Sequence, residues 1–377
     1  MRAYLVDINQ NGIKIKGTVY ISPSKYGSYC GYAVFIPDNC EKDTTLIMHS
    51  CNTGGNPALH LEEANEIAKK SVCGLNSGTW LGTSLNMPVL IPLIPRVDYY
   101  YTQSLRRQVY QNDVSVLIEE NKKRENPLEE DEIIAIRDQC KDIDVQVVSM
   151  IKKAQLFLET KGIKVDDKVI AEGYSAGSQF ANYFTALHPE YVKTCICGGN
   201  SGLGIIPLSE YKGAELKYPL GVSDFNFNFP EFQQIPQLYY IGTEDYNDPA
   251  MYKCAFERDE NGELLLDKEG NRIPKKDKSG TIIPIRDRNG RLQPRNKENY
   301  SQEEIEIIHR LFGANPQIRF NNQEKIYKEL GINSTFKRFP GTHKTVTQQH
   351  QGSYVYTNEC IKEFIRQITS KENKKQR

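Results

Sequence analysis

The sequence predicts an α/β fold, a mainly parallel twisted sheet with helices on both faces. Three observations predict it. Strand-like and helix-like segments alternate over most of the 377 residues, as they do where helices connect parallel strands. Several strand-like runs are mostly apolar, among them residues 44–50 (TTLIMHS), as strands covered on both faces are. A strand-like run at 168–175 leads through glycine-flanked residues straight into a helix-like run at 176–187.

The elements follow in order. Ile13, Ile15, Val19 and Ile21 alternate with polar or small residues, the period of a half-buried strand. Gly31–Pro37 (GYAVFIP) and 44–50 are further strands. Residues 59–71 place Leu61, Ala64, Ile67 and Ala68 on one side of a helix. The run 88–95 (PVLIPLIP) reads as a strand or strand end interrupted by prolines. Ile143–Thr160 is an amphipathic helix carrying Val147, Met150, Ile151, Ala154 and Leu158. Strands follow at 168–175, 193–199 and 237–245. The tail supplies a helix at 316–330, a strand at 334–339 and a helix at 354–368.

Two stretches depart from this rhythm within one domain spanning 1–377. Residues 97–141 open with Tyr99, Tyr100 and Tyr101, then turn charged and helical in period, a lid-like insertion. Residues 254–300 are charged and turn-rich, with Gly262, Gly270, Gly280 and Gly290 spaced by 8, 10 and 10 residues. Asn261-Gly262, Ser279-Gly280 and Asn289-Gly290 are turn-forming pairs, so this insertion reads as tight hairpins, against a solvated loop as the alternative.

Composition narrows the function. Lys+Arg is 48 and Asp+Glu is 48, which removes the long-range positive field of a dedicated nucleic-acid binder. No apolar run approaches the roughly 18 residues of a membrane span. Residues 1–16 lack the apolar stretch of a secretory signal. Nine cysteines with no C-x-x-C pair point to reduced thiols and a cytoplasmic protein. Cys195 and Cys197 share one face of a strand, where core packing explains them. No phosphate loop, dinucleotide fingerprint or metal constellation is present, so no cofactor and no metal are expected.

The chemistry centres on Gly173-Tyr174-Ser175-Ala176-Gly177. A G-x-S-x-G arises by chance in roughly one chain in ten of this length, so its strand-to-helix context carries the argument. A strained turn there lifts a serine hydroxyl above the sheet edge, and glycines two residues either side relieve the crowding. The alternative is an ordinary turn with Ser175 as a helix N-cap. A serine nucleophile needs a base. His343, in a loop between a strand and the final helix, is the candidate, with His350 the rival. His188 reads as a surface or capping residue and His309 as structural. The base needs an orienting carboxylate. Asp245 at the end of the 237–245 strand is chosen, with Asp248 and then Glu244 behind it. The backbone amide of Ala176 is one oxyanion donor. That of Cys51, in the His49-Ser50-Cys51-Asn52-Thr53-Gly54-Gly55 loop, is the second, with Ser50 and Asn52 close behind.

These elements resemble the α/β-hydrolase superfamily: the His49-Ser50-Cys51 loop, the Gly173 to Gly177 elbow, the Gly242-x-x-Asp245 strand end and the Gly341-Thr342-His343 loop, with nucleophile, acid and base in that order. The loop is most similar to the H-G-C of esterases related to polyhydroxyalkanoate depolymerases and feruloyl esterases, with Ser50 replacing the glycine. The resemblance implies a serine hydrolase cleaving a carboxylic ester, small or polymeric, through an acyl-enzyme. An acyltransferase on the same triad and a non-catalytic interaction protein are the alternatives. Tyr99 to Tyr101 are candidates to line a pocket, Arg96 or Arg106 to bind a carboxylate, and the hairpin insertion to mediate self-association.

Overall fold

Side chains alternate along the central strands between two apolar layers, and this period of two organises the molecule. A computed structural model describes residues 1–10, 13–50, 58–73, 78–98, 100, 102–265, 273–276, 283–285, 300–343 and 353–375. Its strands are β1 (Arg2–Gln10), β2 (Ile13–Ser22), β3 (Gly31–Pro37), β4 (Asp43–Thr44), β5 (Ile47–Ser50), β6 (Val89–Leu93), β7 (Lys164–Val165), β8 (Val169–Tyr174), β9 (Val192–Gly198), β10 (Glu210–Tyr211), β11 (Ala214–Glu215), β12 (Gln237–Gly242) and β13 (Ser334–Phe339). Its helices are α1 (Leu61–Lys70), α2 (Thr79–Leu85), α3 (Arg107–Tyr110), α4 (Ser115–Asn121), α5 (Glu130–Gln139), α6 (Ile143–Thr160), α7 (Ala176–Leu187), α8 (Phe229–Gln234), α9 (Gln302–Ile307), α10 (Pro316–Glu329) and α11 (Ser353–Lys375).

Among the described residues, nine strands form one sheet in the order β1-β2-β3-β6-β5-β8-β9-β12-β13. The first four are joined antiparallel. Every pairing from β6 across to β13 is parallel. The expected mainly parallel sheet is therefore present. Val34, Met48, Leu90, Ala171, Cys195 and Tyr239 face a core that also holds apolar residues of α6, α7 and α10. Phe35, Ile47, Val89, Ile91, Ile170, Ile196 and Leu238 face the opposite layer, with Leu81 and Leu85 of α2 and Ile361 and Ile365 of α11. Both faces are covered, which is why β5, β8 and β12 read as apolar runs.

This topology also places the crevice. From β5 the chain moves one strand outward to β6, then returns to β8 on the other side of β5. Such a reversal opens a cleft at the carboxyl ends of the two strands, here beyond Ser50 and Tyr174.

Several elements differ from expectation. The strand expected at 44–50 is divided, since Asp43–Thr44 pairs with β7 outside the main sheet and only Ile47–Ser50 joins it. Helix α2 (TWLGTSL) carries weak helix formers, and its buried Leu81 and Leu85 supply the packing that propensity lacks. Segment 102–139 is helical, but Tyr100, Leu105, Val109, Leu117 and Ile136 are buried in the main core. In the 254–300 stretch, one segment pairs antiparallel with three others, through Arg258 with Leu264, Phe256 with Pro274 and Cys254 with Pro284.

Candidate active site

The elbow is strained, and its glycines explain how it closes. Ser175 has φ 57° and ψ −122°, a conformation costly for a residue with a Cβ. A Cβ on Gly173 would lie 2.3 Å from the Gly177 carbonyl oxygen, so strand β8 and helix α7 meet backbone to backbone. The Ser175 amide donates to Gly198 O at 2.8 Å, tying the elbow to β9. The Ser175 side chain makes no capping bond to the helix. The N-cap alternative is thus not what the hydroxyl does.

The hydroxyl instead faces a histidine. His343 Nε2 lies 3.0 Å from Ser175 Oγ, and His343 Nδ1 lies 2.8 Å from Asp245 Oδ2. With Nδ1–H donating to the carboxylate, Nε2 is left to accept the serine proton. Asp245 is fully buried, and its other oxygen accepts from the Asn247 amide at 3.0 Å. The histidine side chain is 19% exposed, so the imidazole is partly open to solvent.

The 98-position separation of Asp245 and His343 is bridged by parallel pairing. β12 and β13 run in register from Gln237 and Ser334 to Gly242 and Phe339. Beyond the strands, the Thr243 amide donates to Phe339 O at 2.8 Å and the Glu244 amide to Gly341 O at 2.9 Å. A Cβ on Gly242 would lie 2.3 Å from Gly341 O, so the turn before Asp245 and the loop before His343 are in backbone contact.

The rival residues have other places. Asp248 forms a buried two-pronged pair with Arg319, at 2.6 and 3.0 Å. Glu244 is exposed. His188 is held by Asp144 at 2.9 Å. His309 donates to Ala250 O at 2.9 Å, and burial lowers its proton affinity below the ordinary histidine value. His350, Cys51, Asn52, Tyr99 and Tyr101 lie outside the described residues. Ala176 opens α7 directly after Ser175, where a helix leaves its first amides without intrahelical partners. Ser50 is buried, its hydroxyl on Met48 Sδ at 3.7 Å.

Tyr100 is a core residue, and burial raises its phenol far above the usual range. Arg106 is buried, bonded to Ser104 Oγ at 3.1 Å and Gln179 Oε1 at 2.6 Å, with Tyr300 4.6 Å from its guanidinium carbon. Cys195 and Cys197 are buried with sulfurs 3.4 Å apart, and burial raises the Cys197 thiol. Among the described residues, no cluster of three metal-ligating side chains occurs, and no helix is long and apolar enough to cross a membrane.

Sequence reasoning missed several partners. The Tyr174 hydroxyl donates to the His343 backbone carbonyl, and its ring centroid lies 5.1 Å from the imidazole. Tyr240 stacks behind it at 6.1 Å. Side chains on Gly198 or Gly199 would strike these two rings, so both glycines make room for the stack. Gln317 Nε2 donates to Gly242 O at 2.8 Å and Asp245 O at 2.9 Å, bracing the turn that carries the acid. His49 Nδ1 pairs with Glu172 Oε2 at 2.5 Å between adjacent strands β5 and β8. The available signal for this last pair was a polar residue inside each of two apolar strands.

No protein-family model matches the sequence, and no curated protein matches it. Solved structures similar to the chain include poly(aspartic acid) hydrolase-1 from Sphingomonas sp. KT-1, at 14% identity, covering 90% of this chain and 96% of that one, with a TM-score of 0.45. Carboxyl esterase 2 from Tuber melanosporum shares 8% identity over 94% of this chain and 86% of its own, with a TM-score of 0.45. An S-formylglutathione hydrolase from Agrobacterium tumefaciens shares 11% identity over 94% and 95%, with a TM-score of 0.37.

Proposed function

We propose that this chain is a serine hydrolase that cleaves a carboxylic ester through an acyl-enzyme. The observation that carries the reading is the relay from Ser175 Oγ through His343 to Asp245, at 3.0 and 2.8 Å, mounted on a strained strand-to-helix turn. Strain of this kind persists where the surrounding structure holds a reactive group in place.

The serine oxygen attacks the ester carbonyl as His343 Nε2 takes its proton. Asp245 holds the imidazole in the required tautomer and stabilises the imidazolium. The amide of Ala176, with that of Cys51, takes the negative charge on the carbonyl oxygen. Collapse expels the alcohol, which receives the proton from His343. Water then attacks the acyl-enzyme with His343 as base, releasing the acid and restoring Ser175. The substrate is a small or polymeric ester, handled without cofactor by one cytoplasmic domain. Residues 254–300 act as a hairpin insertion through which copies of the chain associate.

Ser175→Ala tests the reading. The variant folds with an unchanged circular dichroism spectrum and loses at least about a thousandfold in kcat/KM on 4-nitrophenyl acetate. Fluorophosphonate labels the parent at Ser175 and leaves the variant unlabelled. A parent protein that is folded and unlabelled refutes the proposal.

A further inference from the structure

The turn that leaves β9 stands at the rim beside the nucleophile. β8 and β9 pair in parallel as far as Tyr174 and Gly198, and the Ser175 amide donates to Gly198 O at 2.8 Å. The turn is wedged on both sides. A Cβ on Gly199 would lie 2.8 Å from the Tyr174 ring, the ring that packs on the His343 imidazole, and a Cβ on Gly202 would collide with Pro316 O. Its backbone is strained as well, since Gly199, Ser201 and Gly202 have φ of 58°, 63° and 74°, and Ser201 carries a Cβ. Among these residues sits Asn200, 1% exposed. Neither its Oδ1 nor its Nδ2 has a hydrogen-bond partner, and among the described residues it is the one side-chain amide with both atoms unpaired. Buried polar groups are almost always paired, because an unpaired one has given up its hydration for nothing. This exception lies at the carboxyl rim, where parallel sheets bind their ligands. Traced from the Ser175 amide through Gly198 O, the Asn200 amide is at most about 14 Å away at full extension, and the turn shortens that path.

We propose that Asn200 binds the substrate, and that the substrate is an ester carrying a primary carboxamide. The inference rests on the hydrolase reading above and names its substrate class. The Asn200 side chain offers one acceptor and one donor along a single edge. A primary carboxamide presents the complementary donor and acceptor along its own edge and closes both bonds at once. A carboxylate lacks the proton that Oδ1 needs, an ammonium lacks the lone pair that Nδ2 needs, and an alkyl chain lacks both. With the ester carbonyl at Ser175 and the carboxamide at Asn200, the substrate is held at two points and its direction is set. The wedged turn keeps the second point still, between the Tyr174 ring and Pro316. An apolar ester of the same shape leaves the buried amide unpaired in the complex and is turned over more slowly.

The test compares matched esters on the full chain, with acid release followed by titration at constant pH. Ethyl succinamate and ethyl 4-methylpentanoate share one shape and differ in the carboxamide, which lies on the acyl side. The esters 3-amino-3-oxopropyl acetate and 3-methylbutyl acetate make the same comparison on the alcohol side. In the parent, kcat/KM for the carboxamide ester exceeds that for its isostere by about tenfold or more within one pair. Asn200→Leu, of nearly equal shape, brings the ratio in that pair close to one, and a thermal melt establishes that the variant is folded. Asn200→Ala carries the same measurement should leucine not be accommodated. General damage to the fold slows both esters of a pair and leaves their ratio, so the ratio separates recognition from stability. A parent that labels with fluorophosphonate at Ser175 yet turns over the carboxamide ester no faster than its isostere in both pairs overturns the proposal. A folded variant that keeps the parent's preference overturns it as well. A parent that does not label at all sinks the hydrolase reading itself, which keeps the two failures apart.

Discussion

Tyr174→Phe removes one oxygen atom and leaves the aromatic stack in place. In the parent, that hydroxyl joins the elbow strand to the His343 carbonyl, while the ring packs between Tyr240 and the imidazole. Burial raises the phenol well above its usual range, with Asp245 adding to the effect, so it is a neutral donor at working pH. Losing one such bond costs about 0.5–1.5 kcal/mol net, and an acceptor left in a partly dry site brings the total to about 1–2 kcal/mol. If the bond holds the base where the serine proton is transferred, that loss appears in the barrier. At 1.36 kcal/mol per factor of ten, kcat falls about five- to thirtyfold. KM changes less, because the hydroxyl is committed to the protein backbone. The assay is kcat and KM on 4-nitrophenyl acetate beside a thermal melt. A folded variant with a lower Tm and parental kcat refutes the reasoning, since the bond then supports the loop without aligning the base.

Two further outcomes follow from the same geometry. Gly173→Ala sets a Cβ 2.3 Å from a backbone oxygen that cannot rotate away; a loss of about 1–3 kcal/mol is expected, read as a lower midpoint in urea. His309 has its folded proton affinity depressed, so the unfolded chain binds the proton more readily and stability is lost as pH falls through the ordinary histidine range. His309→Gln keeps a donor for Ala250 O without a titrating ring, and the fall in Tm between pH 7 and pH 5 becomes shallower than in the parent.

Helices α6 and α7 and strands β3 and β13 were legible to the residue in the sequence because packing and local pattern agree there. Eighteen residues of Ile143–Thr160 keep one apolar stripe, and all of Gly31–Pro37 lies between two covered faces. Where the signals conflict, reading fails. Thr44 and Ile47 belong to one apolar-looking run, yet only the second pairs in the main sheet, because β7 captures the first. Helix α2 is invisible to propensity because its stability comes from tertiary contacts with the β2–β3 side of the sheet.

The candidate site divides along the same line. Ser175, Asp245 and His343 stand at strand ends, and order along the chain suffices to nominate them, because a parallel sheet delivers those ends to one rim. Choosing between Asp245 and Asp248 is another matter. Both are acidic and three residues apart, and both are buried. They differ in what a distant helix offers: Arg319 takes one, while Gln317 binds only the backbone of the other and leaves its carboxylate for the histidine. That distinction lies in two side chains of α10 more than seventy residues away, where no local pattern carries it. A buried charge is assigned by its partner, and the partner is fixed only once the sheet and α10 have packed.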